Sequence, residues 1–217
     1  MILWLSILVC TSRMTSTKIC GDCRKTFERG AGSVDKFAER VSALLVCSHN
    51  CSCPTLSVSA FSPRPVQNSE QVAACASHPY HSAINGSVTH KVFDRAFTQG
   101  LSVTRLELAK EGIGGVLNFC NTIDVRKSTK NPEIYSLGAV TMSAQDVRGI
   151  LFRKCNTPAF RLYDTSVDAD RMIAHADIVG TKYFGRLEAL PKAEQSIRHW
   201  AQLQLSRKTT FVPQKAV

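Results

Sequence analysis

The sequence predicts an α+β fold: a small mixed sheet with short helices, preceded by a small Cys-rich, zinc-ribbon-like module. Three observations carry that expectation. Five of the nine cysteines fall within residues 20–53. Beyond residue 62, stretches of strand-like alternation interleave with short segments of helical spacing. A hydrophobic content of 44% over 217 residues supplies an ordinary globular core and argues against wholesale disorder.

Residues 1–14 form an apolar extension headed by Met-Ile-Leu-Trp-Leu-Ser-Ile-Leu-Val-Cys. It is too short to cross a bilayer, which needs about 20 residues. It also lacks the positive start and the Ala-x-Ala-like cleavage site of a secretory signal. Met14 is an alternative biological start. The sequons at Asn50 and Asn85 matter only after export. The reading is a cytoplasmic protein that does not enter a membrane.

Residues 15–60 are one compositional unit, the Cys-rich module. Between its thiol groups, Val34, Phe37, Val41, Leu44 and Leu45 recur at helical intervals, with Ser33 as N-cap. Such a helix carries the chain from one half of a metal site to the other. Ser62-Pro63-Arg64-Pro65 breaks regular structure and marks the boundary to an α+β domain over 61–206. There Asn68 or Ser69 caps a short helix through Cys75, ended by His78-Pro79. Asn85-Gly86 is a turn. Residues 94–98 are helical and stop at Gly100. Leu101 to Leu108 alternates as a half-buried strand, with Arg105 on its polar face. Gly112, Gly114 and Gly115 read as a flexible turn, because neither common nucleotide fingerprint fits them. Tyr135 to Thr141 is a strand, Ser143 opens a short helix, and Ala159 to Asp164 is a further strand. Pro191 begins a helix bearing Ile197, Trp200, Ala201 and Gln204, with Trp200 as a core anchor. Residues 207–217 are a basic, mobile tail.

The cysteines give the sharpest chemistry. Cys20 and Cys23 form CxxC, and Cys47 and Cys51 form CxxxC; Cys53 and His49 are spare candidates for the fourth position. Zinc takes four such ligands tetrahedrally, at about 2.3 Å from sulfur. A module under 50 residues builds little core, so a metal staple is physically reasonable. Disulfides and unliganded thiols remain open alternatives. A redox role for Cys20 and Cys23 is weaker, because no βαβ pattern surrounds them. Cys75, Cys120 and Cys155 read as small buried hydrophobes.

His175 and Asp177, two apart on a strand, project from one face. With Arg105, and with Asp164 and Asp168 upstream, they are the candidate catalytic group for metal-dependent phosphoester chemistry. The competing reading is a hydrogen-bonded structural histidine. His78, Tyr80 and His81 read as a surface turn. A net charge of +10 favours an anionic partner, and Arg148, Arg153, Lys154 and Arg161 are its densest neighbourhood. A solvated face is the default alternative. No Gly-x-Ser-x-Gly elbow and no dinucleotide fingerprint occur, so serine hydrolysis and a nucleotide cofactor have no support.

Leu101-Ser-Val-Thr-Arg-Leu106, Gly138-Ala-Val140 before Asp146-Val-Arg148, and His175-Ala-Asp-Ile178 follow one another in order. By these segments, the stretch from about Phe61 to Gly180 resembles a family of uncharacterised prokaryotic proteins. The resemblance implies a bacterial, cytoplasmic setting and no reaction, and it does not cover the Cys-rich module. Together these readings point to a non-enzymatic, zinc-containing binding or accessory protein that contacts nucleic acid or a protein partner. The alternative is a metal-dependent nuclease, or another phosphoester-processing enzyme, centred on His175 and Asp177.

Overall fold

A computed structural model describes residues 19–27, 51–59, 61–84, 87–153, 156–166, 174–182 and 187–214. The expected helix over 33–46, the apolar extension, Cys47, His49, Lys154, Cys155 and Asp168 lie outside the described residues. The fold is α+β. Its centre is a six-stranded sheet in the order β10-β5-β1-β4-β9-β8. The strands are β1 (Gln71–His78), β4 (Leu101–Arg105), β5 (Tyr135–Ser143), β8 (Phe160–Asp164), β9 (His175–Gly180) and β10 (Thr210–Pro213). Every pairing in it is antiparallel. Two small hairpins, β2 (Ala83–Ile84) with β3 (Ser87–Val88) and β6 (Leu151–Phe152) with β7 (Thr157–Pro158), flank it.

The sheet buries both faces. On the first, Val72, Ala74, Ala76, Val103, Val140, Leu162, Ala176 and Ile178 form the main core. A 3-10 helix, His90–Phe97, contributes Val92, Phe93, Ala96 and Phe97 to it. Ala201 and Leu205 come from a late helix, Lys192–Ser206, and Trp200 packs against the same core. Gly180 ends β9 directly beneath the Phe97 ring, so close that any β-carbon there would collide with it. On the second face, the helix Gly112–Ser128 packs Val116 and Cys120 against Ala73 and Ala139. Beside it, the cysteine-bearing segments pack on Tyr163 and Val179. In chain order we name the helices α1 (Gly21–Phe27), α2 (Gly112–Ser128), α3 (Ala144–Gly149) and α4 (Lys192–Ser206).

Four local expectations are corrected. The helix expected from Asn68 or Ser69 through Cys75 is replaced by strand β1. As an inner strand packed on both faces it shows no apolar–polar alternation, and its run of alanines imitates a helix. The glycines expected as a flexible turn instead begin α2. Glu111 and Gly112 have φ of 63° and 53°, and a β-carbon at Gly115 would strike the Lys110 carbonyl. Glycine there admits a tight approach to the helix. The segment expected as a mobile tail holds β10, which pairs with β5 from Thr210↔Thr141 to Pro213↔Gly138. Gly138, at φ 134°, leaves the gap that the Val212 carbonyl enters. Arg105 was expected on a polar face, yet it is in phase with Leu101 and Val103 and is fully buried.

The strand expected over Leu101 to Leu108 ends at Arg105, and the Asn85-Gly86 turn lies outside the described residues, but other elements follow as read. Ser143 caps α3, its Oγ accepting from the Asp146 N–H at 3.0 Å. Pro191 sits at the N-cap of α4. Among the described residues, no helix is long and apolar enough to cross a membrane.

Candidate metal centre

Two chain segments build the cysteine centre. Cys20 precedes α1 and Cys23 lies in its first turn; Cys51 and Cys53 lead into a 3-10 turn, Cys53–Thr55. Their Sγ atoms all lie within 4.8 Å of one another. Cys23 and Cys51 stand 3.5 Å apart, Sγ to Sγ. Two main-chain N–H groups point at the sulfurs, Cys20 N–H to Cys53 Sγ and Cys23 N–H to Cys20 Sγ, both at 3.3 Å. Such donors favour the anionic, ligating form of a thiol. Cys23 and Cys53 are buried, and Cys20 and Cys51 half-buried. Among the described residues, Cys53, the spare of the sequence reading, joins Cys20, Cys23 and Cys51, while Cys47 lies outside the described residues.

Electrostatics explains what such a cluster wants. The sulfur contact to Cys51, then burial and the neighbouring thiols, push the Cys23 thiol far above its ordinary value. Burial foremost pushes Cys53 up to about 11. Thiolates this close repel one another in a poorly solvated site, which favours the protonated form of Cys23 and Cys53 without a cation. A divalent metal removes that penalty, replaces the protons and makes its binding free energy available to folding. The four cysteines form a set that can hold a metal ion.

The remaining cysteines differ from expectation. Cys75 and Cys120, read as free buried hydrophobes, form a disulfide between β1 and α2 with Cα atoms 5.4 Å apart. They are 45 residues apart, so no local spacing in the sequence announces the pair.

His175 and Asp177 do share a face of β9, and both are buried. Thr165, which the sequence reading missed, joins them. Its hydroxyl donates to Asp177 Oδ2 at 2.7 Å and lies 2.8 Å from His175 Nδ1. With that hydroxyl proton committed to the carboxylate, Nδ1 is placed to donate to the Thr165 oxygens, in the tautomer whose Nε2 carries no proton. Ser102 donates to Asp177 Oδ1 at 3.2 Å. Arg105 does not join them. It lies on the opposite face, bonded to Glu70 at 2.8 Å and paired with Asp164 at 3.2 Å. Burial pushes the Glu70 carboxyl up, but the Arg105 hydrogen bonds, the Gln67 N–H and the charges of Arg105 and Arg64 together outweigh it and hold the group below its usual range.

The basic residues scatter. Arg148 reaches inward to the Pro54 and Val66 carbonyls, each at 3.0 Å, and to Asn68 Oδ1 at 2.6 Å. Arg153 lies over the Trp200 ring, 5.5 Å from its centroid. Arg161 approaches the Tyr163 hydroxyl at 3.5 Å. His81 accepts from the Ser77 N–H at 2.9 Å and is half-buried, and His78 stacks on Tyr135. No protein-family model, curated protein or solved structure matches the chain.

Proposed function

We propose that the chain is a non-enzymatic, zinc-containing binding or accessory protein, with zinc structural at Cys20, Cys23, Cys51 and Cys53. The convergence of four thiols from two distant segments supports this reading most. Ligands 2.3 Å from a tetrahedral ion stand about 3.8 Å from one another, a spacing these sulfurs reach with little movement. An all-thiol set favours zinc over harder cations. The net charge of +10 supports an anionic partner, and nucleic acid or an acidic protein fits that chemistry. Metal analysis of the purified protein tests the first step: about one zinc per chain is expected, falling to none in Cys23→Ser. Nucleic-acid affinity that falls steeply with salt would support that partner, and salt-insensitive or absent binding would favour a protein.

Reduced, metal-bound thiols go with a cytoplasmic setting, whereas the Cys75–Cys120 bond opposes it, because disulfides persist in oxidising compartments. Alkylation of the chain in freshly lysed cells decides. Cys75 and Cys120 protected as a pair would argue for export.

A second reading rests on the Asp177–Thr165–His175 chain, which orients an imidazole with Nε2 as a base. It is a metal-dependent phosphoester-processing enzyme. Under it, His175→Ala abolishes a metal-stimulated cleavage while the fold persists; under the leading reading, that variant binds as the parent does.

A further inference from the structure

Strand β8 ends the sheet, so its outer hydrogen-bonding edge needs a cover. The cover is a strap of irregular chain, residues 53–59 and 61–66, which begins at the metal centre itself. Ser57 makes a parallel bridge with Asp164, and the Val58 N–H donates to the Asp164 carbonyl at 3.3 Å. The Ser57 hydroxyl bonds the Asp164 carboxylate, and the Ser59 hydroxyl donates to the Ser166 carbonyl. These contacts amount to one bridge and two side-chain ties, far short of a strand ladder.

The strap is fixed at its two ends by different means. At the far end, buried Arg105 donates to the Arg64 carbonyl at 2.9 Å and the Pro65 carbonyl at 3.3 Å. At the near end, apart from the Arg148 bond to Pro54, the anchor is Cys53 in the thiol cluster. Between Cys53 and Ser59, Val58 is the one other buried apolar residue, so little hydrophobic burial holds this half down. The strap also ends its contact at Ser166, next to Thr165, whose hydroxyl joins His175 to Asp177.

We infer that metal at the four-cysteine centre is a latch on the outer edge of β8. Loaded, it holds residues 53–59 against Asp164–Ser166 and so keeps Thr165 in place between His175 and Asp177. Emptied, it lets the near half of the strap leave while Arg105 retains the far half, and the β8 edge and the Thr165 hydrogen bonds loosen together. This inference rests on the proposed metal site and specifies what that site regulates.

Amide exchange of the full chain, zinc-loaded and chelator-stripped, read by mass spectrometry, tests the latch. Stripping should speed exchange in peptides covering 53–59 and 160–166 at least tenfold beyond any change in peptides from β5 and α2. A protein that holds one zinc per chain, yet shows unaltered exchange at 160–166 once stripped, overturns the latch and leaves the metal site standing. Uniform acceleration along the whole chain also overturns it, because the metal then supports the entire fold. Failure to bind zinc at all overturns both. A second arm keeps the metal in place: Ser57→Ala with Ser59→Ala should retain one zinc per chain and still speed exchange at 160–166 about threefold. Exchange equal to the parent in that variant overturns the route through the strap.

Discussion

Helix α2 and the cysteine segments lie side by side on one face of the sheet, and sulfur fastens each of them there. The chemistry differs. A covalent bond from Cys75 to Cys120 staples α2 to β1, over an apolar contact of Ala73, Val116 and Ala139. Among the described residues, the cysteine segments have Ile19, Val58, Tyr163 and Val179 packed with their own sulfurs, and their four thiols can share an ion. Under the proposed metal reading, one fastening yields to a reductant and the other to a chelator. The first reinforces packing that exists without it; the second would replace packing that the segment is too small to build. Between the two covers lie Ser102, Thr104, His175 and Asp177, the polar strip of that face.

The largest expected effect falls on the covalent side. Replacing both Cys75 and Cys120 by Ala should cost about 4 kcal/mol in the chain-entropy account of a loop this long. Denaturant unfolding measures it, and zinc content should not change. A loss of metal in that variant would break the comparison, because the two fastenings would then be one cooperative unit. Chelation comes next. At a hundredfold excess of free zinc over its dissociation constant, bound metal contributes about 2.7 kcal/mol. Unfolding of the reduced double variant with and without chelator should show the two losses adding.

Acid sharpens the α2 side. Burial foremost, with Arg95 nearby, lowers His81 to about 4, and its Nδ1 accepts the Ser77 N–H at the end of β1. The folded state therefore prefers the neutral ring. This contribution is complete above the unfolded value near 6.5 and is lost as pH falls from there toward 4. We expect roughly 2 kcal/mol over that window, the full shift being reduced by the ring's partial contact with solvent, and none in His81→Gln, whose amide oxygen can accept the same bond. Stability titrations of the two proteins should diverge only below about pH 6.5. The smallest effect is a control on the other face. Ser143→Ala removes the α3 cap and should cost about 1 kcal/mol, with zinc content and disulfide both intact.

Much of the α+β character was legible because it rests on local periodicity. Tyr135 to Ser143 and Phe160 to Asp164 are strands where the sequence places them, and the helix after Pro191 follows its apolar spacing. Strand β1 was not legible, because a strand buried on both faces has no alternation to read. Helix α2 was hidden by three glycines whose purpose is a close backbone approach, and by the exposed Phe119 and Val125, which blur its amphipathic stripe. The cysteine concentration announced a thiol cluster that can hold a metal ion. Spacing could not show that Cys53 joins the cluster, because that is decided by where a loop returns. The Cys75–Cys120 pair, the Thr165 bridge and the burial of Arg105 all depend on register across strands far apart in sequence.

Gly180 carries a consequence of its own. At the end of β9 the thickness of the molecule is set by a hydrogen atom, since the Phe97 ring occupies the volume where any side chain would begin. The 3-10 layer thus rests on bare backbone at that point. A single added methyl group would act as a wedge there, tilting the aromatic layer off the sheet and opening the main core from its rim.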